Sequence, residues 1–217
     1  MDLVVAGTLL IVFSPLIALV AAIIRVMMGP PVLFRQERPG YKGKLFVPYK
    51  FRTMHDARDN TGRILPDGER LIPFGTMLRR LSIDELPQCL NVLKGEMSVV
   101  GPRPLLAEYI DRYPPQYARR HDVKPGITGW AQINGRDELP LGKRLEMDVW
   151  YVDHHSIRLD LKIMWLTVFR VVGMHGNKAW QDDAEILAID DVNLTDLARA
   201  HRGSGSDARS QASEEGH

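Results

Sequence analysis

A single cysteine, Cys89, in 217 residues excludes an intramolecular disulfide and any multi-thiolate metal site, and it fits a reducing, cytoplasm-facing environment. An excess of charge of one sign is also missing. With 28 basic and 27 acidic residues the formal charge is +1, which excludes both a polybasic nucleic-acid binder and an acidic tail protein. The chain contains no G-x-G-x-x-G, P-loop, H-E-x-x-H or Asp-x-Asp sequence. The common signatures of dinucleotide, nucleoside triphosphate and zinc sites, and of many nucleotide-sugar glycosyltransferases, are therefore lacking. No internal repeat is visible. At 45% hydrophobic and 25% charged, the composition is that of one globular domain with an appendage.

What the chain does have is a long apolar run. Leu3 to Ile24 carries no charge and meets the ~20-residue length that a helix needs to cross a bilayer. No basic segment precedes it and no small-x-small cleavage site follows, so a retained anchor is favoured over a cleaved signal peptide. At its midpoint, Ser14-Pro15 deletes one backbone hydrogen bond, and the Ser14 hydroxyl is placed to bond the carbonyl that Pro15 frees. Sequence physics alone favours a kinked span over a re-entrant helix-break-helix. Residues 25–80 hold twelve basic residues against five acidic ones, which by the positive-inside rule puts the globular part in the cytoplasm and would attract anionic phospholipids.

Further along, VLFRQE and LFVPYKFRTM read as two short strands around the turn RPGYKGK. Helical character returns at PFGTMLRRL and through ELPQCLNVLKG, stopped by Gly95. GEMSVV is a short strand before the turn Gly101-Pro102-Arg103-Pro104, and LLAEYIDRY and PPQYARRHD are helical. KPGITGWAQINGR reads as loop, strand and turn, and a helix starts at Leu141, with His154 and His155 at its end. In SIRLDLKIMWLTVFRVV the apolar positions Ile157, Leu161, Met164, Val168 and Val171 recur at helical spacing. Core burial is the usual fate of such a stripe, and Trp165 keeps a membrane-interface helix in view. The fold class is α+β: a small, mainly helical domain with short strands behind a membrane helix. The expected division is residues 1–28, 29–175 and a C-terminal extension over 176–217, disordered from about residue 201.

The candidate chemistry lies at Asp84-Glu85, paired carboxylates at a helix start after Arg79 and Arg80. Asp84 as N-cap would put Pro87 at N3; Ser82 with Glu85 as a capping box is the alternative. Either places Asp84 near the positive helix end, which favours its ionised, nucleophilic form and attracts phosphate. Taken alone the pair reads as ordinary helix capping. Its company shifts the balance: Lys50, Arg52, Arg79 and Arg103 together could cradle a diphosphate.

PVLFRQERPGYKGKLFVPYKFRTM, LRRLSIDELPQCLNVLKGEMSVVGPRP and KPGITGWAQINGR, in that order, closely resemble the bacterial sugar transferase family, the small monotopic phosphoglycosyl transferases. The resemblance covers residues 1–175. It implies transfer of a sugar 1-phosphate from a UDP-sugar to undecaprenyl phosphate, with release of UMP, as the first membrane step of polysaccharide or glycan assembly. It further implies a covalent intermediate on Asp84 with Glu85 beside it, Mg²⁺ as cofactor with Asp84 among its ligands, and Lys50, Arg79 and Arg103 at the phosphates. At Ser14-Pro15 it implies a re-entrant helix in the bacterial inner membrane, and it leaves room for a homo-oligomer. The basic residues that family members carry ahead of the apolar run are not found here.

Two other classes compete with this reading. A membrane-tethered lipid-binding scaffold predicts no turnover and indifference to Asp84→Asn. A glycosyltransferase that moves the sugar without its phosphate predicts UDP as the product.

Overall fold

A computed structural model describes residues 1–172 apart from 64, 113 and 136–138. The C-terminal extension over 176–217, with the disorder expected from about residue 201, lies outside the described residues, as does Arg136 of the third sequence block.

The apolar run forms α1 (Asp2–Met28), which stays helical through Pro15 and ends at Gly29, whose φ of 67° with ψ of −173° is a conformation essentially reserved to glycine. Ser14 Oγ donates to the Ile11 carbonyl at 2.9 Å. This is the acceptor that the missing Pro15 N–H leaves without its helical partner, as the sequence anticipated.

The hairpin follows, split into two antiparallel ladders: β1 (Leu33–Phe34) with β4 (Lys50–Phe51), and β2 (Arg38–Pro39) with β3 (Leu45–Phe46). After the short α2 (Asp67–Arg70) comes α3 (Pro73–Arg80), with its proline at the tolerated first position. A 3-10 helix over Ile83–Gln88 leads into α4 (Cys89–Leu93), and Gly95, at φ 77°, ends it where expected. β5 (Ser98–Val100) pairs in parallel with β6 (Gly126–Thr128), and the two helical stretches between them are 3-10 helices over Ala107–Arg112 and Pro115–Asp122. Where the sequence suggested a turn after β6, the structure has a one-turn helix, α5 (Trp130–Ile133). α6 (Leu141–His154) and α7 (Ile157–Val172) close the described fold.

The core lies in sections under α1. Ala6, Leu9 and Leu10 pack with Cys89, Met97, Val99, Tyr151 and Ile163; Val20 and Ile24 pack with Phe51, Leu78 and Ile83. Both halves of α1 therefore rest on the same globular body. One side of the helix is bare: Val4, Ile11, Val12, Leu19 and Val26 are all more than half exposed. A third cluster, Leu106, Tyr117, Leu141 and Leu145, fastens α6 beneath the segment that follows β5.

The expected apolar stripe on α7 divides. Its Met164 packs on the core beside Leu159, Ile163 and Leu166, whereas its Ile157, Leu161 and Val168 are exposed together with Trp165 and Phe169. The helix is apolar on both faces, so spacing alone could not say which one the core would take. Hydroxyl contacts fix the choice: Thr167 Oγ1 lies 2.7 Å from Thr128 Oγ1, and Tyr151 donates to Asp160 at 2.7 Å.

Candidate active site

Asp84 and Glu85 do not cap a helix. Ser82, not Asp84, holds the N-cap position of the 3-10 helix, in a left-handed conformation (φ 55°, ψ 21°) and without a side-chain capping bond, so neither predicted cap geometry is formed. A non-glycine residue in that region costs about 1–2 kcal/mol. The sharp reversal it makes between α3 and the 3-10 helix turns both carboxylates inward, leaving Asp84 1% and Glu85 5% exposed.

Buried carboxylates need partners, since a lone charge away from water is costly. Lys50 Nζ stands 3.0 Å from Asp84 Oδ2 and 3.5 Å from Glu85 Oε1, and Arg103 Nη2 lies 2.9 Å from the same Glu85 oxygen. Elements distant in sequence thus converge: β4 brings Lys50, the 3-10 helix brings the acids, and the turn after β5 brings Arg103. Arg79, one turn before the acids, donates from Nε to Thr53 Oγ1 at 2.9 Å. Arg52 is turned toward the end of α1. Its Nη2 donates to the Met28 carbonyl and, at 3.1 Å, to that of Gly29, and its Nη1 donates to that of Pro30 at 3.1 Å. This guanidinium fastens the end of α1 to the hairpin.

Several supporting residues gave no signal in a sequence reading built on charge. Asn91, fully buried in α4, accepts from the Tyr49 N–H at 2.8 Å and donates to the Val47 carbonyl at 2.8 Å, clamping the strand just ahead of Lys50. A lone amide in the apolar run CLNVL was the available hint. Thr53 is likewise buried, and a Cβ on Gly75 of α3 would stand only 2.0 Å from its carbonyl oxygen, so that helix and the strand's extension meet backbone to backbone. Glycines serve the Arg103 turn in the same way: a Cβ on Gly129 would lie 2.2 Å from the Gly101 carbonyl oxygen. Cys89 takes no part, because burial pushes its thiol up to about 11 and keeps it protonated.

Among the described residues, no three His, Cys, Asp or Glu side chains stand close enough to hold a metal by themselves. Asp84 Oδ2 is buried and accepts no hydrogen bond, with Lys50 as its ionic neighbour. Two adjacent carboxylates suit an ion that keeps water and takes substrate phosphate oxygens, as Mg²⁺ does.

The family model described as bacterial sugar transferase matches residues 1–174. The chain belongs to that family. Among curated bacterial sugar transferases and their relatives, it is 56% identical over 175 residues to the uncharacterized sugar transferase EpsL of Bacillus subtilis, covering 81% of this chain and 87% of that protein. It is 41% identical to the UDP-glucose:undecaprenyl-phosphate glucose-1-phosphate transferase of Escherichia coli, over 78% of this chain and 39% of that protein. With the UDP-N-acetylgalactosamine-undecaprenyl-phosphate N-acetylgalactosaminephosphotransferase of Aeromonas hydrophila it shares 38% identity, over 77% of this chain and 42% of that protein. The chain thus spans most of the Bacillus protein and less than half the length of the other two.

Proposed function

We propose that this chain transfers a sugar 1-phosphate from a UDP-sugar to undecaprenyl phosphate at the bacterial inner membrane, through a covalent phosphosugar on Asp84. The observation that carries this reading is the buried Asp84–Glu85 pair, matched by Lys50 and Arg103, on a turn that packs directly against the apolar helix α1. The names of the Escherichia and Aeromonas relatives point to the same donor and acceptor classes.

In the first half-reaction an Asp84 carboxylate oxygen attacks the sugar-bearing phosphorus. The bond from that phosphorus to the bridging oxygen breaks, and UMP leaves with the electron pair. In the second, a phosphate oxygen of the polyprenyl phosphate attacks the same phosphorus and expels the Asp84 carboxylate, giving undecaprenyl diphosphate sugar. Lys50 and Arg103 reduce the repulsion between an anionic nucleophile and an anionic diphosphate, and they stabilise the charge that spreads over the equatorial oxygens. Glu85 holds both cations in place. Bound Mg²⁺, held by Asp84 and Glu85 with the diphosphate, would supply further neutralisation.

Two features support a monotopic, re-entrant placement. The two halves of α1 rest on one globular body, whereas a helix crossing the bilayer would hold a domain at one end only. The exposed apolar faces of α1 and α7, with Trp165 and Phe169 in edge contact, form the lipid-facing surface of this reading. The basic residues after α1 support a cytoplasmic orientation and contact with anionic phospholipids.

The nucleotide product tests the reaction class. Detergent-purified protein given UDP-sugars, Mg²⁺ and undecaprenyl phosphate should release UMP, with Asp84→Asn slower by on the order of 10³-fold or more. UDP as the product would instead establish sugar transfer without phosphate, and no nucleotide release with any donor would leave a binding module.

A further inference from the structure

Arg120 and Asp148 form a buried ion pair to which the proposed mechanism gives no part. Arg120 lies in the 3-10 helix over Pro115–Asp122 and donates to Asp148 Oδ2 of α6 from Nε at 3.1 Å and from Nη2 at 2.7 Å. Their side chains are 1% and 5% exposed. The same Nη2 reaches the carbonyl oxygen of Arg103 at 2.6 Å. Arg120 therefore binds the backbone of the residue whose guanidinium pairs with Glu85.

The turn itself explains why such an anchor matters. Pro102 and Pro104 have no N–H to donate, so few backbone groups can hold Arg103. Gly101 N–H donates to the Thr128 carbonyl at 2.9 Å and the Pro102 carbonyl accepts from Gly126 N–H at 3.0 Å. Both of those bonds fall before Arg103. The carbonyl of Arg103 is in turn held by a planar guanidinium oriented by Asp148. Stability is a weak reason for burying this pair, because desolvating two charges offsets much of their attraction and an apolar pair of similar volume does as well or better. A planar fork that satisfies a carboxylate and a carbonyl together defines position in a way an apolar pair does not.

We propose that Arg120, oriented by Asp148, is a positioning residue that sets the location of the Arg103 guanidinium at the Asp84–Glu85 pair. Its catalytic consequence rests on the phosphoryl-transfer reading above; its structural consequence, the coupling of Arg120 to the Arg103–Glu85 contact, does not.

Two double-mutant cycles separate these consequences. In the first, UMP release is measured for Arg120→Lys, Arg103→Ala and the double variant. Lysine keeps the charge but cannot serve carboxylate and carbonyl with one planar fork. Arg120→Lys should lower kcat by up to about 100-fold, the scale of a roughly 1 Å misplacement, and should cost little once Arg103 is alanine. A purely structural residue would slow both backgrounds equally, which would overturn the proposal. In the second cycle, melting temperatures of the substrate-free protein are compared for Arg120→Lys, Glu85→Gln and the pair. Non-additive shifts are expected, and additive shifts would overturn the proposal even if the wild type turned over no donor tested. The double variant Arg120→Met with Asp148→Leu removes the pair without leaving a lone buried charge. It should fold and melt near the wild type while losing turnover as Arg120→Lys does; full activity in that variant would also overturn the proposal.

Discussion

His121 shows how far burial governs single residues around this site. Its ring is pushed down to about 4, first by desolvation and then by the neighbouring Arg120 charge. The folded protein thus keeps His121 neutral, while the unfolded chain protonates it near its ordinary value of about 6.5. Between those values the unfolded state binds more protons, so the contribution to stability is present above about 6.5 and is lost as pH falls toward 4. Melting temperature should therefore drop as pH is lowered from 7 to 4.5, and His121→Gln should flatten that slope relative to the wild type. Equal slopes for the two proteins would show that the folded ring takes up its proton as readily as the unfolded one does. Asp84 illustrates the same dependence on surroundings. As one member of a pair at a helix start it reads as a cap, yet the fold buries it against Lys50.

At the scale of elements, the site depends on how closely α3 approaches the strand carrying Lys50. Gly75 permits that approach, and Arg79 one turn later bonds the same Thr53 whose backbone Gly75 touches. In Gly75→Ala the new methyl meets backbone, which cannot move aside as a side-chain tip can, so α3 must shift and carry Arg79 and the Ser82 reversal with it. We expect Gly75→Ala to lower the melting temperature and to reduce turnover more than substrate binding; unchanged values for both would mean that the helix packs differently.

Most of these elements were legible in the sequence. Turn residues mark the hairpin, Pro73 starts α3, Gly95 ends α4, and the apolar spacings in α6 and α7 give helices. Three features were not. The caps at Asp84 fail because a left-handed Ser82 and Pro87 produce a 3-10 helix, whereas both caps require a regular α-helical start. Lys50 and Arg52 look like neighbours on one strand face, but Lys50 reaches the acids while Arg52, whose N–H still bonds the Val32 carbonyl, turns its guanidinium to the carbonyls at the end of α1. On α7 an apolar face bound for the surface has the same residue types as one bound for the core.

The whole molecule places an acidic pair, its two cations and an apolar helix in one contiguous body, so that a water-soluble sugar nucleotide and a phosphate on a long lipid could use the same carboxylate in turn. That sequential use of Asp84 is the central claim. The most direct test is the intact mass of detergent-purified protein incubated with Mg²⁺ and a panel of UDP-sugars in the absence of polyprenyl phosphate. The wild type should gain the mass of one sugar phosphate with one donor and release an equivalent of UMP. Asp84→Asn should gain nothing, and undecaprenyl phosphate added afterwards should remove the adduct. Release of UMP only when the lipid is present, with no adduct at any time, would contradict the account and establish direct transfer between the two substrates.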